Sequence, residues 1–262
     1  MRQSLKKRLK ENDILLGSMI QFYSPELVEF FGFFGLDFVT IDMEHGAIDY
    51  AQLKDMIRAA EAQDMITVVR VPNVSEDPIK KVLDIGASCL LVPNVKTPED
   101  VENLIKYSFY APKGERGACP FVRQHKYGLA DNIACYGEAN DDLCLWLTLE
   151  TPESIDKNNM VNIMETGGFD LISIGAWDMA VAMGIPGQVT HPDILAAREY
   201  LEELNAKYGK FTGIHAEGPE ELSILKERPS ARMVHLSIIN AMLLKAGERV
   251  KEMKDILKNR SY

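Results

Sequence analysis

Four short segments carry side chains able to act together on one small molecule. They are Asp42-Met43-Glu44-His45, Arg70, Glu150, and Gly175-Ala176-Trp177-Asp178. Each follows directly on an apolar, β-branched run, so each sits where a strand runs out. Glu150 and Asp178 end consecutive runs, and neighbouring strands lie about 4.8 Å apart. Two carboxylates so placed can share one divalent cation, completed by water and substrate oxygens, as Mg²⁺ and Mn²⁺ prefer. Without a cation they repel unless one holds a proton. A single strand-end acid commonly caps a helix or pairs with a base. Two on adjacent strands, near an Arg and a His, read as a site. His45 differs from His125, His191, His215 and His235 because it follows two acids at a strand end.

Eight runs read as strands: 14–21, 38–43, 66–71, 89–93, 143–149, 170–175, 211–215 and 232–238. Helical patterns fill the gaps. Ser24-Pro25-Glu26, Thr97-Pro98-Glu99, Thr151-Pro152-Glu153 and Gly218-Pro219-Glu220 read as helix starts, His191-Pro192-Asp193 resembles them, and Asp77-Pro78 opens another. A small or polar residue, Pro and an acid suit an N-cap and a first helical turn. Gly35, Gly86 and Gly209 read as helix ends. Eight strand–helix units predict an α/β chain with a parallel sheet closed into a (β/α)8 TIM barrel, one domain over 1–262. The open doubly wound alternative would show a Gly-rich loop after the first strand; here that strand ends Gln21-Phe22-Tyr23-Ser24-Pro25.

Alternation assigns directions. Leu143, Leu145, Leu147 and Leu149 form one uniform face for helices to cover, so Cys144, Trp146, Thr148 and Glu150 face the barrel axis. By the same logic Asp42 and Glu44 point inward, whereas the direction of Arg70 stays open. No Lys stands in the fifth or sixth strand for a Schiff base, and there is no GxSxG elbow. Metal-assisted chemistry is therefore favoured over imine chemistry.

Composition narrows the class. The chain has 262 residues, a formal charge of −10, 46% apolar residues and four Cys. That excludes a disordered chain and a disulfide scaffold, and it speaks against a general nucleic-acid binder. No stretch approaches the roughly 18 apolar residues of a membrane span. Lys10, Glu11, Asn12 and Asp13 interrupt any leader-like run, so the expected compartment is the cytoplasm. Residues 2–11 read as a short surface helix with Leu5 and Leu9 on one face, and Cys89 and Cys144 as small buried hydrophobes.

The chain resembles the HpcH/HpaI aldolase family of metal-dependent 2-oxo acid aldolases. The match rests on Gly35 to His45, Val69-Arg70-Val71-Pro72, Leu83-Asp84-Ile85-Gly86-Ala87 and Leu91-Val92-Pro93. It continues through Tyr110 to Gly117, Leu149-Glu150, Ile174 to Asp178 and Gly184, in the family's order over roughly residues 13–216. The resemblance implies a barrel of the phosphoenolpyruvate/pyruvate type whose last helix is exchanged with a neighbouring subunit, in a homo-oligomer of hexamer type. It implies Mg²⁺, Mn²⁺ or Co²⁺ on Glu150 and Asp178, with pyruvate or its enolate at the metal and Arg70 beside the carbonyl oxygen. It implies His45 as acid/base, Asp84 as its nearby buried acid, and the Gly175–Ala176 backbone as receiver of the substrate carboxylate. Trp177 replaces the family's Ala and alters the substrate space. The stretch Ala118-Cys119-Pro120-Phe121 and the ending Leu236-Ser237-Ile238 also depart from the family pattern.

The implied activity is class II aldol cleavage of a 4-hydroxy-2-oxo acid to pyruvate and an aldehyde. The alternatives are a C–C lyase on a CoA ester, an oxaloacetate decarboxylase using the same enolate, and a non-catalytic ligand-binding barrel.

Overall fold

The eight apolar runs pair as eight parallel strands, joined by segments too long for hairpins. A computed structural model describes residues 4–11, 13–131 and 133–258. Helix α1 (Leu5–Lys10) precedes β1 (Leu15–Ile20), α2 (Pro25–Phe33), β2 (Phe38–Asp42) and α3 (Tyr50–Ala62). Then come β3 (Ile66–Arg70), α4 (Glu76–Ile85), β4 (Cys89–Val92), α5 (Pro98–Ser108) and α6 (Ala134–Asp142). They are followed by β5 (Cys144–Leu149), α7 (Lys157–Thr166), β6 (Leu171–Ile174), α8 (Ala176–Ala182) and α9 (Pro192–Tyr208). The chain finishes with β7 (Thr212–Ala216), β8 (Ala231–Leu236) and α10 (Ile238–Lys258). Short 3-10 segments lie at Arg123–Gly128 and Pro219–Lys226.

The strand order is β6-β5-β4-β3-β2-β1-β8-β7, all parallel. The seam between β6 and β7 closes through one bridge, Leu171 to Phe211. Ser173 also binds across it, to Thr212 Oγ1 at 3.0 Å and to the Gly213 carbonyl at 3.2 Å. The result is the expected TIM barrel.

Strand alternation splits the core in two. Val39, Ile41, Leu145, Leu147 and Leu149 pack outward under the helices. Phe38, Ile66, Val68, Cys89, Cys144, Trp146 and Met233 fill the barrel, joined by Leu5 and Leu9 of α1. The N-terminal helix is thus not a plain surface helix: both leucines are buried and α1 stoppers the barrel's N-terminal end. Arg2 and Gln3 of the expected 2–11 segment lie outside the described residues.

The helix starts follow their caps. Ser24 and Thr97 accept from Leu27 N–H and Asp100 N–H ahead of α2 and α5, each with Pro at N1. One expectation is corrected: Thr151-Pro152-Glu153 opens a turn, not a helix. Thr151 and Ser154 bind each other there, and α7 begins at Lys157 after Asp156, which accepts from Asn158 and Asn159. Likewise Gly218-Pro219-Glu220 starts a 3-10 segment.

Helix α10 leaves the barrel, and none of its residues is buried. Leu243, Leu244, Ile256 and Leu257 are all exposed. Among the described residues no helix is long and apolar enough to cross a membrane.

Candidate active site

The parallel strands bring their C-terminal ends to one face, so the four segments converge there. The β2–β3 register sets Asp42 beside Arg70. Arg70 shares the inward direction of Ile66 and Val68, which settles the orientation that alternation left open. Its guanidinium grips Asp42 with two bonds, Nε to Oδ1 at 2.9 Å and Nη2 to Oδ2 at 2.6 Å. Nη1 lies 3.3 Å from Glu44 Oε2. Such a fork fixes the planar group against rotation.

Asp42 is the organiser of this end. Burial opposes its ionisation, but the Arg70 bonds and charge, with a bond from Gln21, outweigh burial and hold the carboxyl below its usual range. Its Oδ1 also accepts the Glu44 and His45 N–H groups, turning the chain after β2. His45 is left half exposed at the mouth, with Nε2 3.8 Å from Glu44 Oε2.

Glu150 is 7% exposed. Its Oε2 accepts the Asn94 N–H at 2.9 Å. Asn94 reaches it from a left-handed backbone, φ 56°, which Asn tolerates better than most residues. A Cβ at Gly175 would stand 2.6 Å from Glu150 Cγ and 2.9 Å from Oε1. Gly175 has φ −78°, open to any residue, so it is Gly for room, not for backbone freedom. Burial, helped by Asp178 and Glu44, pushes the Glu150 carboxyl up to about 7. Burial also raises Glu44 against the pull of Arg70, and its Oε2 is buried without a hydrogen bond.

Asp178 stands in the first turn of α8, exposed toward the same opening, with Trp177 beside it and 67% exposed. Among the described residues no three or more His, Cys, Asp and Glu side chains converge as a ready metal cage.

Asp84 is not brought to this group within the chain. It lies in the last turn of α4, and helices run against the strands, so it sits toward the barrel's other end. Its partner is Arg116, whose Nη2 donates to Asp84 Oδ1 at 2.6 Å and to Gln124 at 2.8 Å. The structure therefore unites His45, Arg70, Glu150, Gly175, Ala176, Trp177 and Asp178. It adds Asp42, Glu44 and Asn94, which the sequence reading leaves without a role. The inward direction of Asp42 was a usable signal; the left-handed turn at Asn94 left none.

The sequence pattern of the HpcH/HpaI aldolase/citrate lyase family matches residues 19–216. A hydroxypyruvate/pyruvate aldolase of Roseobacter denitrificans is 32% identical over 94% of this chain and 95% of its own. A 5-keto-4-deoxy-D-glucarate aldolase of Shigella boydii is 30% identical over 80% of each chain. An HpcH/HpaI aldolase from Desulfitobacterium hafniense superposes with a TM-score of 0.87 at 25% identity, covering 96% of both chains. The citrate synthase SbnG superposes at 0.84 with 30% identity, covering 96% of this chain and 99% of that one.

Proposed function

The chain belongs to the HpcH/HpaI aldolase/citrate lyase family, and from that premise we propose that it is a carbon–carbon lyase cleaving a 4-hydroxy-2-oxo acid to pyruvate and an aldehyde. The observation that carries the reading is the convergence of Arg70, locked by Asp42, with the buried Glu150 and the exposed Asp178 at one barrel face.

The donor set fits a divalent cation. Glu150 is held by Asn94 and given room by Gly175, and burial, with Asp178 and Glu44 nearby, opposes its ionisation, a cost that a bound cation would offset. Glu150 and Asp178 would hold Mg²⁺, Mn²⁺ or Co²⁺, which when bound polarises the 2-oxo carbonyl as a Lewis acid. The residues do the rest. First-turn amides of α8, around Ala176 and Trp177, have no intrahelical partner and can receive the substrate carboxylate. Arg70 presents its remaining donors to the carbonyl oxygen, where negative charge develops as the C3–C4 bond breaks. His45 stands at the mouth to take the 4-hydroxyl proton, directly or through water. The aldehyde departs, and protonation of the enolate carbon gives pyruvate. Asp84 stays outside this scheme, anchoring Arg116.

The exposed apolar face of α10 supports a homo-oligomer in which that helix covers a neighbouring copy's barrel, in the hexamer that the family resemblance implies. The test of the activity is pyruvate formation from 4-hydroxy-2-oxo acids, and the reverse condensation, across divalent metals. Turnover should vanish with chelator and return with Mg²⁺, Mn²⁺ or Co²⁺. Turnover that survives exhaustive chelation refutes the metal-dependent reading.

A further inference from the structure

A second cleft opens at the same barrel face, between the ends of β1, β7 and β8 and the first turns of α10. It holds about 400 Å³. It shares a wall with the catalytic group. Gln21 lines it and donates to Asp42 Oδ2 at 3.0 Å; Met19 lines it and lies 3.8 Å from Arg70 Nη2. A molecule held at Arg70 and longer than the pyruvate unit has this cleft within reach, past Met19 and Gln21.

The polar centre of the cleft is a pair, His215 Nε2 and Ser237 Oγ, 2.7 Å apart. Strand alternation puts His215 there. A Cβ at Gly213 would run into the Trp146 ring inside the barrel, so His215, two residues on, also faces the axis. It lies near the open end of β7 and is exposed. Ser237 directly follows β8. With Nε2 engaged by Ser237, the His215 ring keeps its second nitrogen for another partner, and the pair offers both a donor and an acceptor. None of the described residues lining the cleft is Lys or Arg, while Phe22, Leu236 and Ile239 supply apolar walls. Arg70, next door, is already paired with Asp42 and Glu44. A phosphate or second carboxylate would find no fixed positive charge in this cleft, whereas hydroxyl groups would find partners.

The geometry points to His215 and Ser237 as the residues that select the aldehyde partner, and to an uncharged hydroxyaldehyde as its class. The inference rests on the aldolase reading above. It concerns which aldehyde is taken, not how the bond is made.

Competition between two aldehydes of equal size tests it. Manganese-loaded enzyme receives pyruvate with equimolar glycolaldehyde and propanal, and mass spectrometry gives the ratio of 4,5-dihydroxy-2-oxopentanoate to 4-hydroxy-2-oxohexanoate. The ratio is independent of how much enzyme is active, and comparing variants cancels the intrinsic reactivity of the aldehydes. Losing one hydrogen bond to the distal hydroxyl should lower the ratio about tenfold in His215→Leu, and in the same direction in Ser237→Ala. A ratio unchanged in both variants overturns the inference. Exchange of pyruvate methyl protons into deuterated water by the wild type, with no aldehyde present, reports on the aldolase reading itself. Exchange with an unchanged ratio sinks only the assignment of His215 and Ser237; absence of exchange with every divalent metal sinks both.

Discussion

Acid should loosen this barrel through one imidazole. His235 is buried inside it, stacked on Trp146 with ring centroids 5.3 Å apart and edge-on to Phe38. Its Nε2 is 2.7 Å from Thr40 Oγ1. Burial, with His215 and Arg70 nearby, lowers its pKa from 6.5 to about 3. Well above pH 6.5 the ring is neutral folded or unfolded and contributes no slope. Below it the unfolded chain binds a proton that the folded chain refuses, so stability falls as pH falls toward 3. At pH 5 the difference amounts to about 2 kcal/mol relative to pH 7. His235→Gln keeps a partner for Thr40 but cannot titrate. Urea unfolding at fixed protein concentration, followed by far-UV circular dichroism at pH 7 and pH 5, should show the wild type losing about 2 kcal/mol more than the variant. Equal losses in the two proteins would refute the reasoning, because the slope would then come from carboxylates that both share.

Two further outcomes are expected. Gly175→Ala should keep its fold, since φ −78° suits alanine, but its Cβ must displace Glu150. Mn²⁺ affinity measured by calorimetry should fall about 10- to 100-fold; unchanged affinity would remove Glu150 from the metal site. Replacing both Leu243 and Leu244 of α10 by Glu places charge on the exposed apolar face and should shift sedimentation to smaller species. An unshifted profile would show that this face does not join copies.

The eight strands were legible because each is a short, largely apolar run set between helix-start signals, a local property. Alternation also pointed Asp42 and Glu150 inward. What stayed hidden depends on neighbours distant in the chain. Arg70 takes its direction and charge partner from Asp42, which the β2–β3 register places alongside. Nothing in Val92-Pro93-Asn94 announces a left-handed residue whose N–H would hold Glu150. Thr151-Pro152-Glu153 misleads because Ser154 offers Thr151 a competing partner and spends that signal on a turn. Asp84 lies in a matching motif, but its position late in α4 puts it beside Arg116.

The stopper helix α1 has a consequence for synthesis. Leu5 and Leu9 leave the ribosome well before the strands of the barrel, yet the buried layer they join includes Leu171 of β6 and Met233 of β8. Those partners emerge only after most of the chain has been made. Helix α1 must therefore wait, its apolar side chains unburied, until β8 docks. Closing the floor of the barrel is in effect a completion signal: a truncated chain lacking β8 cannot seat α1 in its full layer, and its two unseated leucines mark it as unfinished.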